Sequence, residues 1–203
     1  MTSPIRAVCV YCGSSPGRSP KHAEAAESLG RPLAEAEIRL VYGGGTKGLM
    51  GAVARGCMDA GGVVTGIIPR FLMGMEASRA ELTALDELIP TDDMHERKHA
   101  MFERSDAFVA LPGGIGTLEE LVEVMTWAQL GRHDKPIAIA DLGGFWRPLL
   151  TLLDHMRDEG FVHTASRVRP LVIDRVEDVV PTLLRNAPPQ SATGGDAAVI
   201  ERM

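Results

Sequence analysis

Short apolar runs separated by longer stretches of mixed polarity set the architecture of this chain. "IRAVCVYC", "IRLVYGGG", "GVVTGIIP", "LDELIP", "DAFVALPGG", "KPIAIAD" and "RPLVID" read as strands. Helical stretches lie between most of them, near 20–36, 46–60, 93–104, 117–130, 146–159 and 176–186. Near-continuous apolar strands alternating with helices predict an α/β fold, a Rossmann-like doubly wound parallel sheet with helices on both faces. Ligands of such sheets sit beyond the carboxyl ends of the strands, so the residues directly after each apolar run carry the functional information. Pro32 and Pro181 fall inside helical stretches and are expected to kink or restart them.

A length of 203 residues with 45% hydrophobic content suits one well-buried domain, here 1–187. From Pro188 onward "PPQSATGGDAAVIERM" is rich in small and breaker residues, so 188–203 is expected to be a disordered tail. A formal charge of −6 gives no broad basic field, which argues against nucleic acid or an anionic membrane as a partner. No apolar run approaches the ~20 residues that cross a bilayer, and no signal segment is evident, so a cytoplasmic protein is expected. Cys9, Cys12 and Cys57 are an odd number and make no disulfide framework. Cys9-Val-Tyr-Cys12 matches C-x-x-C, but side chains three apart on a strand point to opposite faces, so two incidental buried thiols are expected rather than a redox pair.

Two glycine clusters follow strands. In "GGGTKGLMG", Gly43-x-Gly45-x-x-Gly48 matches the dinucleotide fingerprint, but the next strand ends in Pro69-Arg70 where an acidic ribose-binding residue is required. A glycine-lined wall beside a nucleotide, formed by Gly43 and Gly44, fits better than a full NAD site. In "PGGIGTLEE", Gly113, Gly114 and Gly116 let the backbone approach a ligand closely. Thr117 is expected to begin a helix whose first N–H groups lack partners, and those donors and the helix dipole suit a phosphate. The plainer reading is a glycine-rich turn with Thr117 as its cap.

At about 100° per residue, Leu118, Leu121, Val122 and Met125 share one face of that helix, the stripe expected to meet the sheet. Glu120, Val124 and Trp127 share a roughly opposite face. A helix apolar on two sides is normally covered on both, and a second copy of the chain is the economical cover, so a homodimer with the site near its interface is expected. Glu120 then lies among apolar neighbours, which favour its protonated form, and near a helix N-terminus, which favours its ionised form. A perturbed carboxyl beside bound phosphate is a catalytic candidate. Glu119 and Glu123 project to the flank and are expected to be solvated or salt-bridged.

"DMHERKHAM" matches the zinc motif H-E-x-x-H through His95 and His99, with Glu119 as a conceivable third ligand. The intervening strand and loop 106–116, the D-x-x-E capping box of Asp93 and Glu96, and the cations Arg97 and Lys98 inside the motif weigh against it, and no metal is expected. Arg97 has a better use. It is expected to lean over the neighbouring strand end toward the glycine loop, where its planar fork binds an anion. The alternative is a surface arginine paired with Asp92 or Glu103.

In their order and spacing, "GGGTKGLMG", "MHERKHAM", "PGGIGTLEE" and "TWAQLGRHDKP" resemble the LOG family, the cytokinin riboside 5′-monophosphate phosphoribohydrolases, over about residues 5–186. The resemblance implies a Rossmann-like homodimer that hydrolyses the N-glycosidic bond of a nucleoside 5′-monophosphate, AMP or an N6-substituted AMP, to free base and ribose 5-phosphate, with no cofactor. By motif, Arg97 and Glu120 correspond to the catalytic pair, with Lys98, Gly113, Gly114, Ile115, Gly116, Thr117 and Thr126 around the nucleotide. Glu76, in "MGMEASRAEL", is similar to a ligand-contacting glutamate, and Ser14, Gly43 and Gly44 complete the expected substrate contacts. Thr46-Lys47 departs from the family pattern. Members are often labelled lysine decarboxylases, but no residue pattern here argues for a pyridoxal phosphate site. A nucleotide or phosphorylated-cofactor carrier without chemistry is the alternative, since a carrier needs the glycine loop but not both Arg97 and Glu120. A zinc hydrolase using His95 and His99 is a third reading.

Overall fold

The computed structural model describes residues 5–77, 79–162 and 170–188. Among these residues, strands β1 (Ala7–Tyr11), β2 (Arg39–Tyr42), β3 (Val64–Pro69), β4 (Glu87–Thr91), β5 (Ala107–Ala110), β6 (Ile137–Ala140) and β7 (Leu171–Ile173) form one sheet. All pairs are parallel and the order is β4-β3-β2-β1-β5-β6-β7. The chain steps outward from β1 to one edge, crosses back, and steps outward again from β5. The doubly wound expectation holds, and the direction reverses between β1 and β5, where such sheets open a crevice for ligands.

Helices α1 (Pro20–Glu35), α2 (Gly48–Asp59), α3 (Arg79–Leu82), α4 (Met94–Glu103), α5 (Ile115–Gln129), α6 (Arg147–Asp158) and α7 (Val179–Arg185) connect and cover the strands. On one face Leu29 and Leu33 of α1, Val53 of α2 and Leu183 of α7 pack with Val8, Val10 and Tyr42. On the other, Met101 of α4 and Leu121 and Val124 of α5 pack with Cys9, Tyr11 and Phe108. The period-two alternation of β1 sends Cys9 to one core and Cys12 to the other. All three cysteines are free and buried. Burial raises the Cys57 thiol to about 11 and holds the other two above their usual range as well, which leaves no thiolate nucleophile.

The two prolines behave differently. Pro32 lies inside α1, which runs on without a break to Glu35, so the helix does not restart there. The stretch 176–186 is divided into a 3₁₀ turn at Val176–Asp178 and then α7, with Pro181 in the first turn of the new helix. Short α3 was not anticipated. The expected disordered tail, apart from Pro188, lies outside the described residues.

Two glycines set the distance between α1 and α2. A Cβ on Gly30 would stand 2.1 Å from the Cys57 nitrogen, and one on Gly56 would stand 1.9 Å from the Glu27 carbonyl oxygen. The backbones of the two helices therefore touch, and neither site has room for a methyl group. Glycine to alanine in a helix ordinarily stabilises by up to about 1 kcal/mol, whereas overpacking costs about 1–3 kcal/mol. Gly56→Ala is expected to lower stability, against helix propensity, by about 2 kcal/mol in urea unfolding. A variant as stable as the parent would show that the helices separate freely.

Candidate active site

At the reversal point the loops after β1 and β5 meet backbone to backbone. Gly13 donates its N–H to the Pro112 carbonyl at 3.1 Å, and a Cβ on Gly13 would stand 3.3 Å from the Gly113 Cα. Beyond this contact opens a cavity of about 260 Å³. Its floor is Tyr11, Cys12, Gly13 and Ser14, and its sides carry Gly43, Glu76, Arg97, the 114–117 turn, Glu119 and Glu120.

The helix start that borders the cavity is α5. It begins at Ile115 with Gly114 as N-cap, and no side chain caps it, so Thr117 is not the cap but lies one turn in and is buried. A Cβ on Gly113 would stand 2.1 Å from the Thr117 hydroxyl, so that glycine exists to let the threonine tuck under the loop. The first helical bond runs from the Leu118 N–H to the Gly114 carbonyl at 3.0 Å. Helix geometry leaves the N–H groups of Ile115, Gly116 and Thr117 without intrahelical acceptors, at the positive end of the dipole. Gly114 and Gly116 meet nothing within 4 Å at the position of a Cβ.

The face of α5 differs from the sequence expectation. Thr117, Leu121, Val124, Met125 and Ala128 form the buried stripe, while Val122 is 42% exposed. Val124 therefore faces the sheet together with Leu121, and Trp127 packs edge-on against Phe102 within the same chain, with centroids 4.8 Å apart. The stripe is centred nearer Val124 than the apolar count implies, because buried Thr117 belongs to it and exposed Val122 does not. Glu120 lies on its edge, turned into the cavity rather than opposite the sheet.

Arg97 comes from α4, whose N-terminus is fixed by the expected cap. The Asp93 carboxylate accepts the Glu96 N–H at 2.8 Å, and the Glu96 carboxylate accepts the Asp92 N–H at 2.9 Å. Arg97 is 6% exposed. Its Nε donates to the Ile67 carbonyl at 3.2 Å and its Nη2 to the Gly43 carbonyl at 2.8 Å. Nη1 meets only the Met94 thioether at 3.7 Å, a weak acceptor. Among the described residues no carboxylate stands within ion-pair distance of it, and Asp92 pairs with Arg70 instead at 3.2 Å. A Cβ on Gly43 would fall 2.1 Å from Nη2, so the glycine is required by the arginine.

Glu120 shares the cavity with this cation. Burial pushes its carboxyl up to about 7, Arg97 and Lys98 pull the other way, and Glu119 and Glu123 add to the rise. The neighbouring acids are held by Lys98, whose ammonium donates to Glu119 at 2.6 Å and to Glu123 at 3.0 Å. Salt-bridged roles for Glu119 and Glu123 were expected. Lys98 itself is committed to that bridge and does not line the cavity.

Other candidates distribute unevenly. Ser14, Gly43, Glu76, Gly114, Ile115, Gly116 and Thr117 all line the cavity with the two charged groups. One carboxylate oxygen of Glu76 is buried without a hydrogen-bond partner among the described residues. Gly113 supports the turn from behind. Gly44, at φ +73°, packs its backbone against Ile67 and Ile68. Thr126 is exposed and donates to the Val122 carbonyl at 2.7 Å, more than two turns along α5 from Thr117. His95 and His99 are both exposed, on the side of α4 away from Arg97 and Met101. Among the described residues no three potential metal ligands cluster.

Sequence reasoning missed Tyr11, Cys12 and Gly13 on the floor, and Met50, Met94 and Met101 on the walls. Tyr11 and Cys12 close an apolar run and Gly13 directly follows it, the place where doubly wound sheets meet their ligands. The methionines carry no local signal, since each reads as ordinary core.

The family model described as "possible lysine decarboxylase" matches residues 50–183. A cytokinin riboside 5′-monophosphate phosphoribohydrolase of Rhodococcoides fascians is 44% identical over 86% of this chain and 87% of its own length. A protein of that name from Arabidopsis thaliana is 48% identical over 81% of this chain and 71% of its own. Among solved structures, a Moco carrier protein from Chlamydomonas reinhardtii superposes with a TM-score of 0.66 at 20% identity, covering 89% of this chain and 96% of that one. A molybdenum cofactor binding protein from Rippkaea orientalis gives 0.64 at 21%, covering 87% and 94%. At those identities the likeness is one of fold alone. With a family model spanning most of the chain and relatives this similar over most of their length, the chain belongs to the LOG phosphoribohydrolase family.

Proposed function

We propose that this protein hydrolyses the N-glycosidic bond of a purine nucleoside 5′-monophosphate, AMP or an N6-substituted AMP, releasing free base and ribose 5-phosphate. The observation that carries the reading is the meeting of Arg97 and Glu120 in one cavity with the uncapped, glycine-bordered start of α5. The free amides at 115–117 bind the 5′-phosphate. That anchor presents the ribose to Glu120, one turn deeper. Cleavage develops positive charge on the sugar and negative charge on the departing base. Glu120 stabilises the cationic sugar and orients or deprotonates water, while the Nη1 donors of Arg97 steady the substrate and the leaving base. Glu119, the acid next to Glu120, is held aside by Lys98 and does not form with it the flanking carboxyl pair of enzymes that cut sugar–oxygen bonds.

The same reading includes a homodimer with the site near its interface. Ile115, Val122 and Leu130 are exposed along α5, at 82%, 42% and 70%, and Leu152 and Met156 along α6. These exposed apolar side chains, with Ile115 at the cavity mouth, support self-association, whereas Val124 and Trp127 are already covered within the chain. No helix among the described residues is long and apolar enough to cross a membrane, and three free thiols suit the reducing cytoplasm.

With AMP as substrate and released adenine as the readout, Glu120→Ala is expected to lower kcat by ~10²–10⁴ with nucleotide still bound. Wild-type speed in that variant ends the assignment, and absence of free base from the parent would favour a carrier.

A carboxyl held near 7 gives a pH signature. As a base, Glu120 acts ionised, so kcat/KM is expected to rise through about pH 7 and level off above it. The folded carboxyl keeps its proton to about pH 7, whereas the unfolded one loses it near ~4.3. This group's contribution to stability therefore falls from about pH 4 to 7 and is least above that. Glu120→Gln should accordingly be more stable than the parent at pH 8 and show little difference at pH 4, measured by urea unfolding. The opposite order would mean that the carboxylate is well solvated. Sedimentation equilibrium at micromolar concentration should return twice the chain mass, and a monomer would remove the dimer from the reading.

A further inference from the structure

Glu76 reaches the cavity from an irregular segment between β3 and α3, not from a strand end or a helix. Within that segment the N–H groups of Met75 and Glu76 both donate to the Leu72 carbonyl, at 3.0 and 3.1 Å, and Gly74 adopts φ +89°. The turn is tight, but its own bonds do not fix where it hangs. Three bonds from the residues before α2 do so, together with Ala77 buried in a cluster with Ile68 and Leu82. The Thr46 N–H and hydroxyl both donate to the Glu76 carbonyl, at 2.9 and 3.4 Å, and the Lys47 ammonium donates to the Met75 carbonyl at 3.1 Å. Lys47 is exposed, it is the N-cap residue of α2, and its side chain makes no capping bond. The ammonium is therefore not needed by its own helix.

We infer that Lys47 is a positioning residue of the ligand site: by clasping the Met75 carbonyl it holds the 72–77 turn against α2, so that the Glu76 carboxylate is presented to the ligand. The inference rests on the nucleotide reading above for the identity of that ligand. Glu76 has a buried carboxylate oxygen with no partner among the described residues, in a cavity shared with Ser14 and Arg97. An acceptor so placed awaits a donor, and a nucleotide supplies ribose hydroxyls. Buried acceptors left unmatched are costly, and the cost is recovered only if the turn stays in place when the ligand arrives. A cation on a long side chain is suited to that task because its charge-assisted bond to a neutral carbonyl is stronger than one from a neutral donor.

The test uses Lys47→Met, which keeps the length and removes the donor, alone and combined with Glu76→Ala. With AMP as substrate, Lys47→Met is expected to raise KM about three- to tenfold with kcat within about twofold, and Lys47→Arg to restore it. In the Glu76→Ala background the same change should have no further effect on KM, since the acceptor being positioned is already gone. An unchanged KM, or equal effects in both backgrounds, overturns the inference. Hydrogen exchange separates this from a failure of the nucleotide reading. If the parent releases no adenine, that reading falls, whereas the clasp stands or falls on whether the Met75 and Glu76 amides exchange faster in Lys47→Met than in the parent.

Discussion

The site depends on one buried cation, Arg97, that has no carboxylate in contact among the described residues. Removing a guanidinium from water costs several kcal/mol unless its donors are matched, and here the match is made by backbone. Nε and Nη2 of Arg97 are taken by the carbonyls of Ile67 and Gly43, at and just past the ends of β3 and β2. Those carbonyls are free to accept because the strands end there. Neutral partners leave the positive charge uncancelled, so its field reaches Glu120 across the cavity without the two forming a closed pair. A direct ion pair would neutralise both groups. The arrangement seen here leaves a carboxyl whose proton affinity is raised to about 7 and a guanidinium whose Nη1 meets only a weak sulfur acceptor.

How far such a site can be read from sequence follows from what each part demands of its neighbours. The five inner strands are legible because a sheet buried on both faces allows little but apolar residues along each run, whereas the edge strands β4 and β7 are partly exposed and show only as short apolar runs. The start of α5 is less so. Threonine looks like a cap, but Gly114 takes that place and Thr117 is buried beneath the loop, a contact made possible by Gly113 and invisible to local pattern. The inward face of α5 is misjudged for a related reason. A helix at the mouth of a cavity buries a polar residue at one end and apolar ones further along, so a stripe drawn from hydrophobicity alone is rotated away from Glu120.

On α4 the same limit appears in sharper form. Its two i, i+4 pairs, His95 with His99 and Arg97 with Met101, lie on opposite sides. By hydropathy the histidines are at least as good a buried face as a pair led by arginine. What decides is an acceptor set on other elements, two carbonyls more than 25 residues away, and nothing in the helix encodes it. The side chains of Lys98 and Thr126 are likewise committed in the chain alone, the first to two glutamates and the second to its own helix.

The glycines separate what the fold needs from what a ligand needs. Two of the dinucleotide-like pattern are explained within the chain: a Cβ would strike the hydrogen-bonded Arg97 at Gly43 and the backbone of Ser14 at Gly48, whereas at Gly45 it would meet only the flexible end of Met50. Gly114 and Gly116 have no such reason, because a Cβ at either would meet open space. At Gly116, inside the first turn of α5, alanine would gain up to about 1 kcal/mol in helix propensity at no steric cost to the protein. Gly116 is thus a residue that the fold does not require, and the turn that carries it borders the cavity that Glu120 and Arg97 share.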